Sequence, residues 1–306
     1  MRISIVLFCL LFVSCLQAQQ KTIQERLGYA KNTKLLIIHA DDIGVSHSQN
    51  AASFSAIEKG VVNSGSIMVP CPWFPEVAAY AEAHPDVDLG LHLTLTSEWK
   101  YYKWGPVHKQ VASLVTDKGF LTDGSVDLGK TAKLEEVERE LRAQIERAIQ
   151  FGVRPTHFDS HMGMLFHTPE LVQIYIKLGR EYKVPVLLNG PGFKTAFNID
   201  LSKYTNEKDV LTDYIYQASP ADYAKGMSNF YIGVLKSLQP GLTCILLHAA
   251  FDEAEMQAVT IDHPDYGAAW RQADYDFFTS DACKKMIQDE KIQLITWKEI
   301  RDKLMR

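Results

Sequence analysis

The sequence predicts an α/β chain folded as a (β/α) barrel, and three observations carry that expectation. Short β-rich runs alternate with helical segments along most of the 306 residues, the pattern of a parallel sheet or barrel. Seven such strands, six of them followed by an expected helix, suit one TIM-like, seven-stranded, closed or nearly closed barrel better than two domains. Asp and His recur where those strands end, and that end is where such barrels carry their chemistry.

Taken in order, the chain opens with a leader. Arg2 precedes an apolar run from Ile3 to Val13, too short and wrongly flanked for a membrane anchor. A cut after Ala18 leaves one domain over 19–306. The alternative is a loose lipobox, Phe12-Val13-Ser14-Cys15, in which Cys15 is acylated and retained. Either way the protein is expected outside the cytoplasm, in the periplasm or beyond the cell. Strands are expected at 35–39, 66–69, 89–95, 156–160, 185–188, 243–248 and 293–295. Helices are expected at 48–59, 74–83, 133–151, 169–182, 220–238 and 270–288. The clearest is 133–151, where Leu134, Val137, Leu141, Ile145 and Ala148 recur at helical spacing among charges. Residues 98–130, rich in Gly, Trp and Tyr, read as a long loop over one end.

Composition excludes several classes. The net charge of −5 offers no basic footprint for nucleic acid. No later stretch is long and apolar enough for a transmembrane helix. With the leader removed, Cys71, Cys244 and Cys283 remain, too few and too scattered for a disulfide framework or zinc knuckle. HExxH, GxSxG and GxGxxG motifs are all missing, so zincin, serine-hydrolase and Rossmann-type dinucleotide-binding readings lack their signatures.

The polar residues at the strand ends form the constellation. LLIIHADDIG drives an apolar strand into Asp41 and Asp42. His92 lies in LGLHLTLT; His157, Asp159 and His161 alternate in PTHFDSH; His248 closes ILLH. A desolvated carboxylate is costly unless partnered, and Asp with two His is a common divalent-metal set that leaves positions open for water and substrate. The neighbouring aspartate, aimed differently, is then placed to take a proton from the water.

At these residues the chain resembles the YdjC/ChbG family of carbohydrate deacetylases, relatives of the polysaccharide deacetylases. The resemblance rests on HADDIG, GVVNSGSIMV, DLGLHLTLT and RPTHFDSH, with ILLH and WRQAD matching more loosely. It implies a (β/α)-barrel metal hydrolase with Asp42, His92 and His161 as ligands and Asp41 as general base. It further implies that His157 and Asp159 orient a ligand or substrate, and that His248 is the general acid. Arg271 and Asp274 are expected to orient base or acid. His39 departs from the family, standing where many members have Asn, and HMGMLFH replaces a histidine-rich HQHVH-type run.

The function expected is removal of acetyl groups from N-acetylated amino sugars or short oligosaccharides, with one divalent ion. Two imidazoles favour zinc, and the resemblance also admits magnesium. The alternatives are a hydrolase of the same architecture acting on an O-acetyl ester or another amide, and a non-catalytic glycan-binding lipoprotein. Trp73, Trp99 and Trp104 are the aromatics proposed to stack on sugar faces. A small carbohydrate is the only partner expected, and the oligomeric state is left open, a homodimer included.

Overall fold

The computed structural model describes residues 21–125 and 127–305. The expected leader and Cys15 lie outside the described residues. Among those residues, no helix is long and apolar enough to cross a membrane.

Seven parallel strands form the sheet: β1 (Lys34–Ile43), β2 (Ser64–Ile67), β3 (Leu89–Leu93), β4 (Phe158–Ser160), β5 (Tyr214–Gln217), β6 (Gly241–Leu247) and β7 (Gln293–Leu294). Their order is β4-β3-β2-β1-β6-β5, and β7 pairs with the start of β1. β1 is the hub, with β6 along one edge from Lys34↔Gly241 to Ala40↔Leu247. It also pairs with β7 at Leu35 and Leu36, and with β2 from His39 onward. The sheet curls, and isolated parallel bridges Phe158↔Val186 and Asn189↔Thr212 carry pairing past β4 toward β5. The result is barrel-like. Of the closed or nearly closed seven-stranded barrel expected, the barrel-like sheet is present, but one sector holds by single bridges and β7 stands outside the main strand order.

Two differences from the sequence reading explain that sector. The expected strand at 185–188 makes only the bridge at Val186, and its first residue is Pro185, which has no N–H to extend a ladder. β5 is the unforeseen strand; its half-exposed Tyr-Ile-Tyr-Gln lacks the apolar run that marks the others. Two expected helices are each split. The stretch 220–238 becomes Pro220–Ala224 and Met227–Ser237, parted at Gly226, whose φ of 102° is left-handed. The stretch 270–288 becomes Ala268–Thr279 and Asp281–Asp289, and the Ser280 hydroxyl caps the second half through Cys283 N.

The core has two parts. Leu36, Ile38 and Ala40 of β1 pack outward among the helices, in one cluster with Val137, Leu141 and Ile145 of the helix Leu134–Gln150. Leu35 and Ile37 face the other way, into a smaller interior cluster with Leu242, Cys244, Ile295 and Trp297. The helix Trp297–Leu304 contributes Trp297 and Ile300 to that cluster, so the N-terminal end of the barrel is plugged with apolar groups. Above the plug the interior turns polar, which places the chemistry at the opposite end.

Candidate active site

The alternation of β1 that buries Leu35 and Ile37 in the interior carries His39 and Asp41 to the same side, one layer up. Asp42 breaks the alternation. Its φ of 64° is left-handed, a conformation that short polar side chains tolerate better than most. Its carboxylate therefore turns to β3, the end of β4 and the helix Ala268–Thr279.

Three donor atoms meet there. Asp42 Oδ1 lies 3.5 Å from His92 Nε2 and 3.3 Å from His161 Nδ1. This oxygen is buried and has no hydrogen-bond partner. Ligand atoms about 2.1 Å from one ion at tetrahedral angles stand about 3.4 Å apart. The spacing fits a shared divalent cation, and a cation would satisfy the orphaned oxygen, which is otherwise destabilising. The other Asp42 oxygen accepts from Arg271 at 2.9 Å, and Arg271 also donates to Gln49 Oε1 and the Tyr266 carbonyl.

The electrostatics favour positive charge at this point. Burial resists ionisation of Asp42, but Arg271 and the facing histidines outweigh it and hold the carboxyl well below its usual range. Burial likewise opposes charge on His161, yet Glu98 and Asp42 raise its pKa to about 10. A bound cation would take the place of that proton.

Asp41 sits beside the set with a separate anchorage. Its Oδ1 accepts from Ser66 at 3.3 Å and lies 3.0 Å from His39 Nε2. The same nitrogen is 2.8 Å from Asp159 Oδ2, and the other Asp159 oxygen is 2.7 Å from His92 Nδ1. Ser64 fixes the far side of the ring at Nδ1. Burial disfavours the charged ring, but Asp159 and Asp41 prevail and push its pKa to about 10. His39 is thus a fully buried imidazolium between two carboxylates. His39→Ala should destabilise the fold by about 3–5 kcal/mol, the cost of breaking a buried pair. Denaturant titration of both proteins at pH 6 measures it. The raised pKa sets the sign: the contribution is full below about pH 6.5, declines above it, and is gone past about 10. A gap between the proteins that widened with alkali would refute the assignment.

His248 follows the end of β6 at the cavity. Burial, with Arg271 nearby, lowers its pKa to about 4, so it is neutral at rest. Asp274 holds it through the backbone, accepting from His248 N at 3.0 Å and from the Tyr231 hydroxyl at 2.6 Å. Burial raises the Asp274 pKa to about 7.

Some expected placements therefore change. Arg271 is bonded to Asp42 rather than to the proposed base, because the left-handed turn brings Asp42 to it. His157 bonds to no member of the donor set. It lies one layer lower, its ring edge on His39 at 4.9 Å and stacked over Trp297 at 5.4 Å. Gly90 makes room for it: a Cβ there would sit 2.4 Å from the imidazole. Of the three tryptophans only Trp99 lines the cavity, under the Arg271 guanidinium at 5.3 Å. Trp104 is buried with its Nε1 bonded to the Thr96 carbonyl, a packing role for the loop. Trp73 stands at the start of the helix Phe74–Ala83 against His47, away from the cavity lining.

The cavity over these residues measures about 900 Å³. One wall is apolar: Met162, Phe166, Phe193 and Phe197, the three phenyl rings 4.8–5.2 Å apart by centroid. Asp123, Ser125 and Asn189 add polar groups elsewhere on its lining. The loop 98–130 that supplies part of this lining is pinned from below. Glu136 and Glu140 of the long helix accept from the amides of Ser113, Val107 and His108.

A parallel barrel-like sheet whose C-terminal mouth holds a buried Asp–His–His donor set and a second carboxylate defines the class: an α/β barrel-like protein with a candidate cation site open to a ligand cavity. Residues 35–289 match the family described as YdjC-like protein, and the chain belongs to that family. It is similar to a carbohydrate deacetylase of Thermus thermophilus, 32% identical over 289 residues, which span 92% of this chain and 98% of the relative. A carbohydrate deacetylase of Brevibacillus brevis is 30% identical over 275 residues, 87% of this chain and 99% of the relative. Among solved structures, one named as a cellobiose-phosphate cleavage protein of Enterococcus faecalis superposes with a TM-score of 0.72 at 25% identity. The match covers 88% of this chain and 99% of that one.

Proposed function

We propose that this protein is a metal-dependent carbohydrate deacetylase that hydrolyses the acetamide of an N-acetylated amino sugar, carried in a short oligosaccharide. The observation that carries the reading is the orphaned Asp42 oxygen facing His92 and His161 at the floor of a large cavity, with Asp41 alongside. The names of the Thermus and Brevibacillus relatives support the chemistry.

Asp42, His92 and His161 would hold one zinc or magnesium ion. When bound, the ion polarises the acyl carbonyl and acidifies a water. Arg271 keeps Asp42 ionised and turned to the imidazoles, and Asp159 holds His92. Asp41, held beside Ser66 and His39, takes the proton from the attacking water. As the new C–O bond forms and the C–N bond breaks, His248 gives a proton to the departing nitrogen. His248, neutral at rest, would first receive from Asp41 the proton taken from the water, so one proton passes from water to the departing nitrogen and Asp41 is left as it began. The apolar wall of Met162 and the three phenylalanines suits the C–H face of a pyranose. The Trp99 indole, which lines the cavity, offers an aromatic surface to the sugar.

Mass spectrometry of N-acetylglucosamine oligomers after incubation should show products lighter by one acetyl group. In the same assay, His248→Ala should slow amide substrates more than activated acetyl esters, because an amine leaves poorly without a proton. Release of acetyl from O-acetylated sugars alone would discard the amide reading and keep the site.

A further inference from the structure

An imidazole has two ring nitrogens, and the proton on one decides which lone pair is left for a metal. A carboxylate only accepts, so it fixes the proton on the nitrogen it faces. For His92 that partner is Asp159, 2.7 Å from Nδ1, and Nε2 is the nitrogen 3.5 Å from Asp42 Oδ1. For His161 the order is reversed. Nε2 lies 3.1 Å from Glu98 Oε2, and Nδ1 is the nitrogen 3.3 Å from Asp42 Oδ1.

We propose that Glu98 is a positioning residue of the cation site, and that its bond to His161 makes the two histidines serve one ion through opposite nitrogens. The proposal rests on the metal reading above and adds to it a residue that sequence spacing does not single out. Glu98 opens the 98–130 loop, and its neighbour Trp99 lies against the Arg271 guanidinium that grips Asp42. Two successive residues of one loop thus brace two of the three donors. Lys100, next in line, forms an ion pair with Asp262, tying the loop to the segment before the helix Ala268–Thr279. The loop is a structural member of the site as well as its cover.

The full chain, stripped with chelator and reloaded with zinc alone, tests this without turnover. Long-range proton–nitrogen spectra of the histidine rings distinguish metal-bound from protonated nitrogens. In the zinc-loaded protein His161 should be metal-bound at Nδ1 and protonated at Nε2, and His92 the reverse. Glu98→Gln should weaken zinc affinity by about 10–100-fold, the usual effect of losing such a partner. Its metal-free unfolding midpoint should fall, because the part-buried Glu98–His161 pair is lost in that state too. Affinity is therefore measured on folded protein, where a purely structural role would leave it unchanged. Glu98→Asp should recover part of the affinity. Zinc on Nε2 of His161, direct zinc ligation by Glu98, or unchanged affinity in Glu98→Gln would overturn the proposal while the metal reading stood. Wild-type protein that bound zinc at neither histidine would overturn both.

Discussion

His92→Ala and His161→Ala should each purify with almost no bound divalent ion, where the unmodified protein carries one per chain. Each removes one of two imidazole nitrogens that face the unpartnered Asp42 oxygen at 3.3–3.5 Å, and three protein donors with an open position are the usual set of a catalytic zinc site. Deacetylation should fall by at least about 10²–10³-fold, comparable to removing one group that stabilises a developing oxyanion. Chelator should abolish turnover of the unmodified protein, and added zinc or magnesium should restore it. Elemental analysis decides the first point independently of substrate. Full metal content in both variants would show that the donors lie elsewhere.

Asp41→Asn should behave in the opposite way: metal retained, turnover lost. The amide keeps the shape of the carboxylate beside Ser66 and His39, and Asp159 remains to hold both His39 and His92. What disappears is the ability to take a proton, and general-base assistance is typically worth about 10²–10⁴-fold. Asp42→Asn is the matched control, since it weakens the Arg271 pair and removes the charged donor, and should lose the ion. A reversed outcome, with Asp42→Asn keeping metal and Asp41→Asn losing it, would exchange the two roles.

Much of this site is readable in the chain because its signals are local. An apolar run that stops on Asp or His announces a strand end with chemistry on it. PTHFDSH also shows by its alternation that three polar side chains share a face. What cannot be read is anything that depends on one backbone angle or on a loop. The left-handed turn at Asp42 decides that Arg271 grips Asp42 and not Asp41, and HADDIG looks the same with or without it. Glu98 is one acidic residue among Ser, Trp and Lys, and only the path of the loop brings it to His161. His39 stands out in sequence as a departure, but its two carboxylate partners come from β1 and from 120 residues away. Glu136 and Glu140 resemble the solvated face of an amphipathic helix, yet they hold loop amides. The aromatic misreading has the same origin. SEWKYYKWG is conspicuous, whereas the phenylalanines of the cavity wall are scattered across two segments.

The hub position of β1 has a consequence in time. Lys34 pairs with Gly241, so the strand that bears both aspartates leaves the ribosome roughly 200 residues ahead of its longest neighbour. At about 5–20 residues per second the interval is on the order of 10–40 s. Through that interval β1, with its apolar run Leu35–Ile38, has only β2 to lie against, and its other edge is open to pairing with any nascent or misfolded chain. The molecule's most aggregation-prone moment thus falls late in synthesis, just before residues 241–247 arrive.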